Sequence, residues 1–132
     1  MSERLNISSG APWEPIAGYS RAVRVGQFIE VAGTTAVDAQ GNFFGEGDVV
    51  AQTQFILEKI QHAIEQAGGA LSDVVRTRIF VTDREYMMDV AKVHGKFFGE
   101  ILPASTGVEI GALIDDKLLG EIEASAIISP SS

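Results

Sequence analysis

Cysteine is absent from this chain of 132 residues, and histidine occurs only at His62 and His94. The first absence excludes disulfides, thiol nucleophiles and thiolate metal sites together. So few imidazoles would oblige a zinc site to recruit carboxylates, so metal catalysis is discounted and no metal or other cofactor is expected. Basic residues are also scarce: 10 lysines and arginines stand against 18 acidic residues, a formal net charge of −8. A field of that sign repels polyanions, and nucleic acid is not an expected partner. No apolar run approaches the ~20 residues a membrane-spanning helix needs, so no membrane partner is expected either. The opening Met1-Ser2-Glu3-Arg4 does not read as a signal peptide, and the expected location is the cytoplasm.

What is present is enough for one cored domain: 45% of the residues are hydrophobic. The expectation is a single domain over 1–132. Its first segment, 1–17, is read as a loosely held loop because Ser8-Ser9-Gly10, Pro12 and Pro15 punctuate it. Arg21 to Val25 alternates, Gly26-Gln27 supplies a turn, and Phe28 to Ala32 returns as the second strand of a hairpin. Thr34 to Val37 continues extended. Gly33 interrupts that path, and an isolated strand glycine marks a bulge or a close approach to the backbone.

From Asp48, a good N-cap, apolar residues at Ile56, Ile60, Ala63, Ile64 and Ala67 keep helical spacing until Gly68-Gly69 stops them. Val74 to Thr82 reads as a strand with Val75, Ile79 and Val81 on one side and Arg76, Arg78 and Phe80 on the other. Thr82 and Glu85 have the spacing of a capping box that opens a second helix, which Gly99 ends. Two strands close the chain, one after Pro103 and one from Gly120 to Ile128. This order predicts an α+β fold: a mixed sheet with both helices on one face. A bare opposite face carrying Phe80 and Ile127 is most simply covered by further copies of the chain.

Several stretches together resemble one family. They are Gly18-Tyr19-Ser20-Arg21-Ala22-Val23, Val31-Ala32-Gly33, Asp73 to Thr77 with Phe80-Val81-Thr82-Asp83, Phe97-Phe98, and Pro103-Ala104 with Glu121-Ile122-Glu123-Ala124. The set, covering about Gly18 to Ile128, resembles the RidA/YjgF family, also labelled endoribonuclease L-PSP. The resemblance implies a chorismate-mutase-like fold, a homotrimer with a central barrel, and a small-molecule ligand in a pocket at each subunit interface. It also implies hydrolysis of enamines or imines, such as 2-aminoacrylate, to 2-oxo acids and ammonia.

In that branch an arginine after the Pro-Ala pair grips the substrate carboxylate, whereas this chain has Ser105. Ala32 and Ala91 stand where a serine and an asparagine are common. A carboxylate at the position of Glu121 goes with the attacking water, a tyrosine at that of Tyr19 lines the pocket, and backbone near Gly33 and Gly107 shapes it. Little turnover of 2-aminoacrylate is therefore expected, since an arginine-carboxylate contact is worth ~1.5–3 kcal/mol. Ribonuclease activity, implied only by the older label, conflicts with the charge.

Glu121 is the catalytic candidate, as the base or orienter of a water, against its reading as a polar residue on a half-exposed strand. Tyr19 is either a ligand contact or an interface anchor. His94 could replace the lost cation's hydrogen bond, though a lone histidine on an amphipathic helix is more often packed or solvated. Arg78 could be a relocated carboxylate clamp or a structural partner of Glu109 or Glu123. Ser105 and Thr106 lack an activating base in sequence and are read as ligand hydrogen bonders or turn formers. Two functions follow: hydrolysis of an imine-like C–N bond through Glu121 and a water, or non-catalytic metabolite sensing or partner binding by the same trimer.

Overall fold

A computed structural model describes residues 3–129. Its frame is a mixed sheet in the order β1-β2-β3-β6-β4-β5, formed by Arg4–Ile7 (β1), Ala22–Val25 (β2), Phe28–Thr34 (β3), Val74–Val81 (β4), Ala104–Glu109 (β5) and Gly120–Ile127 (β6). Only β4 and β5 run parallel. Helices α2 (Val49–Gln66) and α3 (Met87–Phe98) lie on one face, as the periodicity predicts, and a short α1 (Trp13–Ala17) precedes β2.

Local chemistry explains the boundaries. Asp48 caps α2 by accepting from Ala51 N, and Gly68, at φ +93°, takes the chain away from its end. The helix presents Ile56, Leu57, Ile60 and Ile64 to Ile29, Val31, Ile122 and Ala124 of the sheet, all fully buried or nearly so. Burying such side chains is worth ~1.5–3 kcal/mol each, which is what holds the helical layer on the sheet. Buried Gln52 spans loop and helix. Its amide nitrogen donates to Gly45 O and Lys117 O, and its oxygen accepts from Leu119 N, which ties down the loop between β5 and β6.

Four sequence readings need correction. The described part of the segment 1–17 is not a loose loop: β1 pairs along β2, and α1 buries Glu14, whose carboxylate accepts from Ser8 Oγ, Ser9 N and Ser9 Oγ. Thr34 to Val37 does not continue the extended strand; β3 ends at Thr34, and Val37 makes only an isolated bridge to Phe43. Val75 does not share a side with Ile79 and Val81, because a bulge between Val74 and Arg76 turns it outward. The turn before α3 is capped by Asp83, accepting from Glu85 N, rather than by Thr82.

Opposite the helices the sheet is open. Phe28, Val25, Val108 and Ile127 are exposed there beside Arg76, Arg78, Glu123 and Ser125. Polar pairs run across it: Arg78 to Glu123 at 3.4 Å, Arg76 to Thr106 Oγ1 at 2.7 Å, and Ser125 to Glu30 at 2.6 Å. Among the described residues nothing covers the exposed apolar side chains of this face.

Candidate functional site

Gly33 sits where the register between β3 and β6 shifts, between Val31 and Thr34. The missing side chain matters. A Cβ at Gly33 would lie 2.8 Å from Glu121 Cδ and 3.0–3.1 Å from its two oxygens, so the carboxylate occupies the space the glycine leaves. Both expectations for a strand glycine are met here, the bulge and the close approach.

Glu121 and Gly33 line a cavity of about 420 Å³ with Tyr19, Arg21, Lys59 and Trp13. Ile16, Leu113 and Ile114 supply apolar walls, the first from α1 and the others from the loop tied down by Gln52. Burial pushes the Glu121 carboxyl above the ordinary carboxylate range; the nearby charge of Glu123 adds to this and Arg21 partly opposes it. A half-buried carboxylate of raised basicity, beside apolar walls, is suited to take a proton from water.

Arg21 is the organiser of this end of the sheet. Almost fully buried, it donates from Nη1 to Gly33 O at 2.6 Å and Thr34 Oγ1 at 2.8 Å, which fixes the bulge. Its Nε lies 3.9 Å from Glu14 Oε2 and makes no hydrogen bond, and its guanidinium stands over the Tyr19 ring. Arg21 thus belongs to the core, and Arg24 donates to Ala67 O at the end of α2.

Lys59 escaped the sequence reading altogether. Its Nζ donates to Val37 O at 2.7 Å, and burial, with help from the Arg21 charge, brings its pKa down to about 8. The signal that could have found it is its place one residue before Ile60, on the flank of a helix whose apolar face packs on the sheet.

The other predicted residues lie elsewhere in the chain. Arg78 and Thr106 are on the open face, with Arg78 paired to Glu123, one of its two expected structural partners; Glu109 instead accepts from Arg84 N. Ser105, Gly107 and His94 gather on the helical side of β5. Buried Thr77 links them, its Oγ1 lying 2.8 Å from Ser105 Oγ and 2.9 Å from His94 Nε2. Burial lowers the His94 pKa, so the imidazole is neutral at neutral pH. Gly107 admits Met87, whose Sδ would lie 2.8 Å from a Cβ there. Within one chain, then, Tyr19, Gly33 and Glu121 share a site, and Ser105, Thr106, Gly107, His94 and Arg78 do not line that cavity. Among the described residues no cluster of histidine and carboxylate ligands could hold a metal.

Comparison with known proteins agrees with this architecture. The family model described as endoribonuclease L-PSP matches residues 9–128. A RutC family protein of Pyrococcus abyssi is 36% identical over 126 residues, covering 96% of this chain and 98% of that one. A 3-aminoacrylate deaminase RutC of Acinetobacter baylyi is 31% identical over 119 residues, covering 90% of this chain and 94% of that one. Among solved structures, a member of the YjgF/YER057c/UK114 family from Mycobacterium tuberculosis superposes with a TM-score of 0.88 at 47% identity, covering 96% of this chain and 100% of the other. Sequence match, sheet order and helical layer lead to one assignment: the chain belongs to the endoribonuclease L-PSP family, the RidA/YjgF family that its motifs resemble.

Proposed function

We propose that the protein is a homotrimeric small-molecule hydrolase that cleaves an enamine- or imine-like C–N bond in the cavity at Glu121. The observation that supports this reading is the half-buried Glu121 carboxylate, raised in basicity and seated on Gly33 inside that cavity. A water held by Glu121 would attack the imine carbon as the carboxylate accepts its proton. That proton passes to the nitrogen, and the carbinolamine collapses to a carbonyl compound and ammonia. The relative named a 3-aminoacrylate deaminase acts on a compound of this class. The scarcity of basic residues opposes ribonuclease chemistry.

One observation favours the alternative of a non-catalytic metabolite-sensing or partner-binding trimer. Ser105, where the family resemblance implies an arginine, is bonded to Thr77 and brings no charge. A single comparison decides between the two. After a thermal-shift screen of keto, imino and amide metabolites has found a ligand that is turned over, Glu121→Gln should lower the rate by ~10²–10⁴ and leave affinity nearly intact. Turnover at the wild-type rate would remove Glu121 from the mechanism and leave the binding reading.

A further inference from the structure

A wall shared by two cavities carries two cations. Arg21 and Lys59 both line the cavity at Glu121, and both also line a second cavity of about 340 Å³ that Ser8, Ser9, Asp38 and His62 help to complete. Neither charge is fully answered. Arg21 is 5% exposed and spends its Nη1 on Gly33 O and Thr34 Oγ1, but its Nε makes no hydrogen bond and its Nη2 reaches only Tyr19 Oη, at 3.5 Å. Glu14, 3.9 Å from that Nε, has both carboxylate oxygens engaged by Ser8 and Ser9. Among the described residues Lys59 makes no ion pair, and its one hydrogen bond is to the neutral Val37 O at 2.7 Å. An anion carried on the lysine nitrogen itself would turn the repulsion between these neighbours into attraction.

We propose that Lys59 is a site of reversible carbamate formation by carbon dioxide, with Arg21 as the cation that holds the product. The lone pair of the unprotonated amine attacks the carbon of carbon dioxide, one C=O electron pair moves onto oxygen, and one N–H proton leaves to water, giving –NH–COO⁻. The remaining N–H can still donate to Val37 O, so the bond that Lys59 makes survives the reaction. The new oxygens need donors, and Arg21 has them to spare. Its Nε and Nη2 form one edge of the guanidinium fork, the arrangement suited to a carboxylate-like anion. That edge lies beside Glu14, whose partners Ser8 and Ser9 line the second cavity together with Lys59. Burial and the Arg21 charge bring the Lys59 pKa down to about 8, which leaves free amine for the attack near neutral pH. Carbon dioxide suits the place because it is small enough to reach a half-buried amine and because its product, unlike an amide, is an anion. This inference stands apart from the hydrolytic reading, since it needs neither Glu121 nor turnover.

The charged groups around Lys59 are Arg21 before β2, Glu14 on α1, Asp38 after β3, His62 on α2 and Glu121 on β6. Asp38 is spent on its own turn, accepting from Gln40 N and Asn42 N. The test is chemical trapping. Purified protein equilibrated with isotope-labelled bicarbonate and carbon dioxide is treated with triethyloxonium, which fixes a carbamate as its stable ethyl ester, and the peptides are mapped by mass spectrometry. Label on Lys59 should exceed that on Lys92 and Lys96, exposed lysines of α3, by at least about tenfold, because a lysine of lowered pKa carries more free amine. Lys59→Arg keeps the charge, cannot form the carbamate, and should lose the label from this peptide. The wild type should melt about 2 °C or more higher in buffer equilibrated with carbon dioxide than in gas-free buffer of the same pH and ionic strength, and Lys59→Arg should show no difference. Should the variant fail to fold, the wild-type peptide map decides alone. Label confined to the N-terminal amine or spread evenly over the lysines would overturn the site. Stabilisation with Lys59 unlabelled would mean bicarbonate held without a bond and would overturn it too, and a labelled Lys59 without stabilisation would overturn its pairing with Arg21.

Discussion

Glu121 and Gly33 are mutually fitted: the carboxyl carbon rests 2.8 Å from where a Cβ on residue 33 would stand. The catalytic candidate is therefore held by an absence, the missing side chain at a bulge whose backbone carbonyl is fixed by Arg21.

Gly33→Ala should spare the fold and injure the site. The atoms it would strike are the end of a flexible side chain, so stability should change by no more than about 1 kcal/mol. The displaced carboxylate should cost turnover by roughly 10²-fold, the usual consequence of a misplacement near 1 Å. Thermal unfolding and turnover measured on the same preparation check both halves. In a Glu121→Ala background the alanine at 33 should have no further effect on either.

Glu121→Gln should also stabilise the protein in a pH-dependent way. A carboxyl whose folded pKa is raised contributes stability below its unfolded value, and that contribution is lost as pH rises through the folded value. At neutral pH the wild type therefore bears the cost of the buried charge and the glutamine variant does not. The difference in melting temperature should favour the variant at pH 7 and close as pH falls below the ordinary value of 4.5. A difference that widened toward acid would reverse the assigned environment.

Beyond the unread β1 and α1, the strands, the two long helices and the open sheet face were legible because long elements leave long patterns: α2 repeats its apolar residues over 18 positions, and β6 alternates over eight. The site was legible only in part. Glu121, Tyr19 and Gly33 stood out through family motifs and the strand glycine, but Trp13, Ile16 and Ala17 of the cavity wall come from α1, a short helix that contains Pro15 and lies between Pro12 and Gly18, residues that read as breakers. Arg21 and Lys59 were invisible for another reason. Burial of a charged side chain depends on partners distant in sequence, here Gly33 and Thr34 for the arginine and Val37 for the lysine, which local spacing does not encode. Val75 was misplaced because one bulge reverses the alternation beyond it.

The chain of hydroxyls from Ser105 through Thr77 to His94 should be felt as stability. Thr77→Val keeps the shape and removes the only hydroxyl that both neighbours share, at a cost of about 1–2 kcal/mol. A pH signature accompanies it. Since burial depresses the His94 pKa, the neutral ring contributes stability present above the ordinary value of 6.5 and lost as pH falls through the folded value. Melting temperatures of wild type should decline over that interval, and His94→Gln should flatten the decline. Parallel curves for the two proteins would mean that the imidazole titrates as it would in the unfolded chain.

The open face offers the sharpest test of assembly. Phe28 is 61% exposed, directly paired with Ile127 at 40% and with Val25 at 42%, so the three make one apolar patch outside any core the chain itself possesses. The described residues put no layer over this patch, which makes it the surface expected to close the proposed trimer. Light scattering should give a particle of three chains of 14.1 kDa each at micromolar concentration. Phe28→Glu should shift that particle toward the monomer, because each interface would bury an unpaired charge, at a cost of several kcal/mol. The monomer should keep its circular dichroism, since the residue touches solvent rather than the core. A wild-type particle of one chain would remove the trimer altogether, and a Phe28→Glu protein that remains a trimer would place the contact between subunits away from this patch.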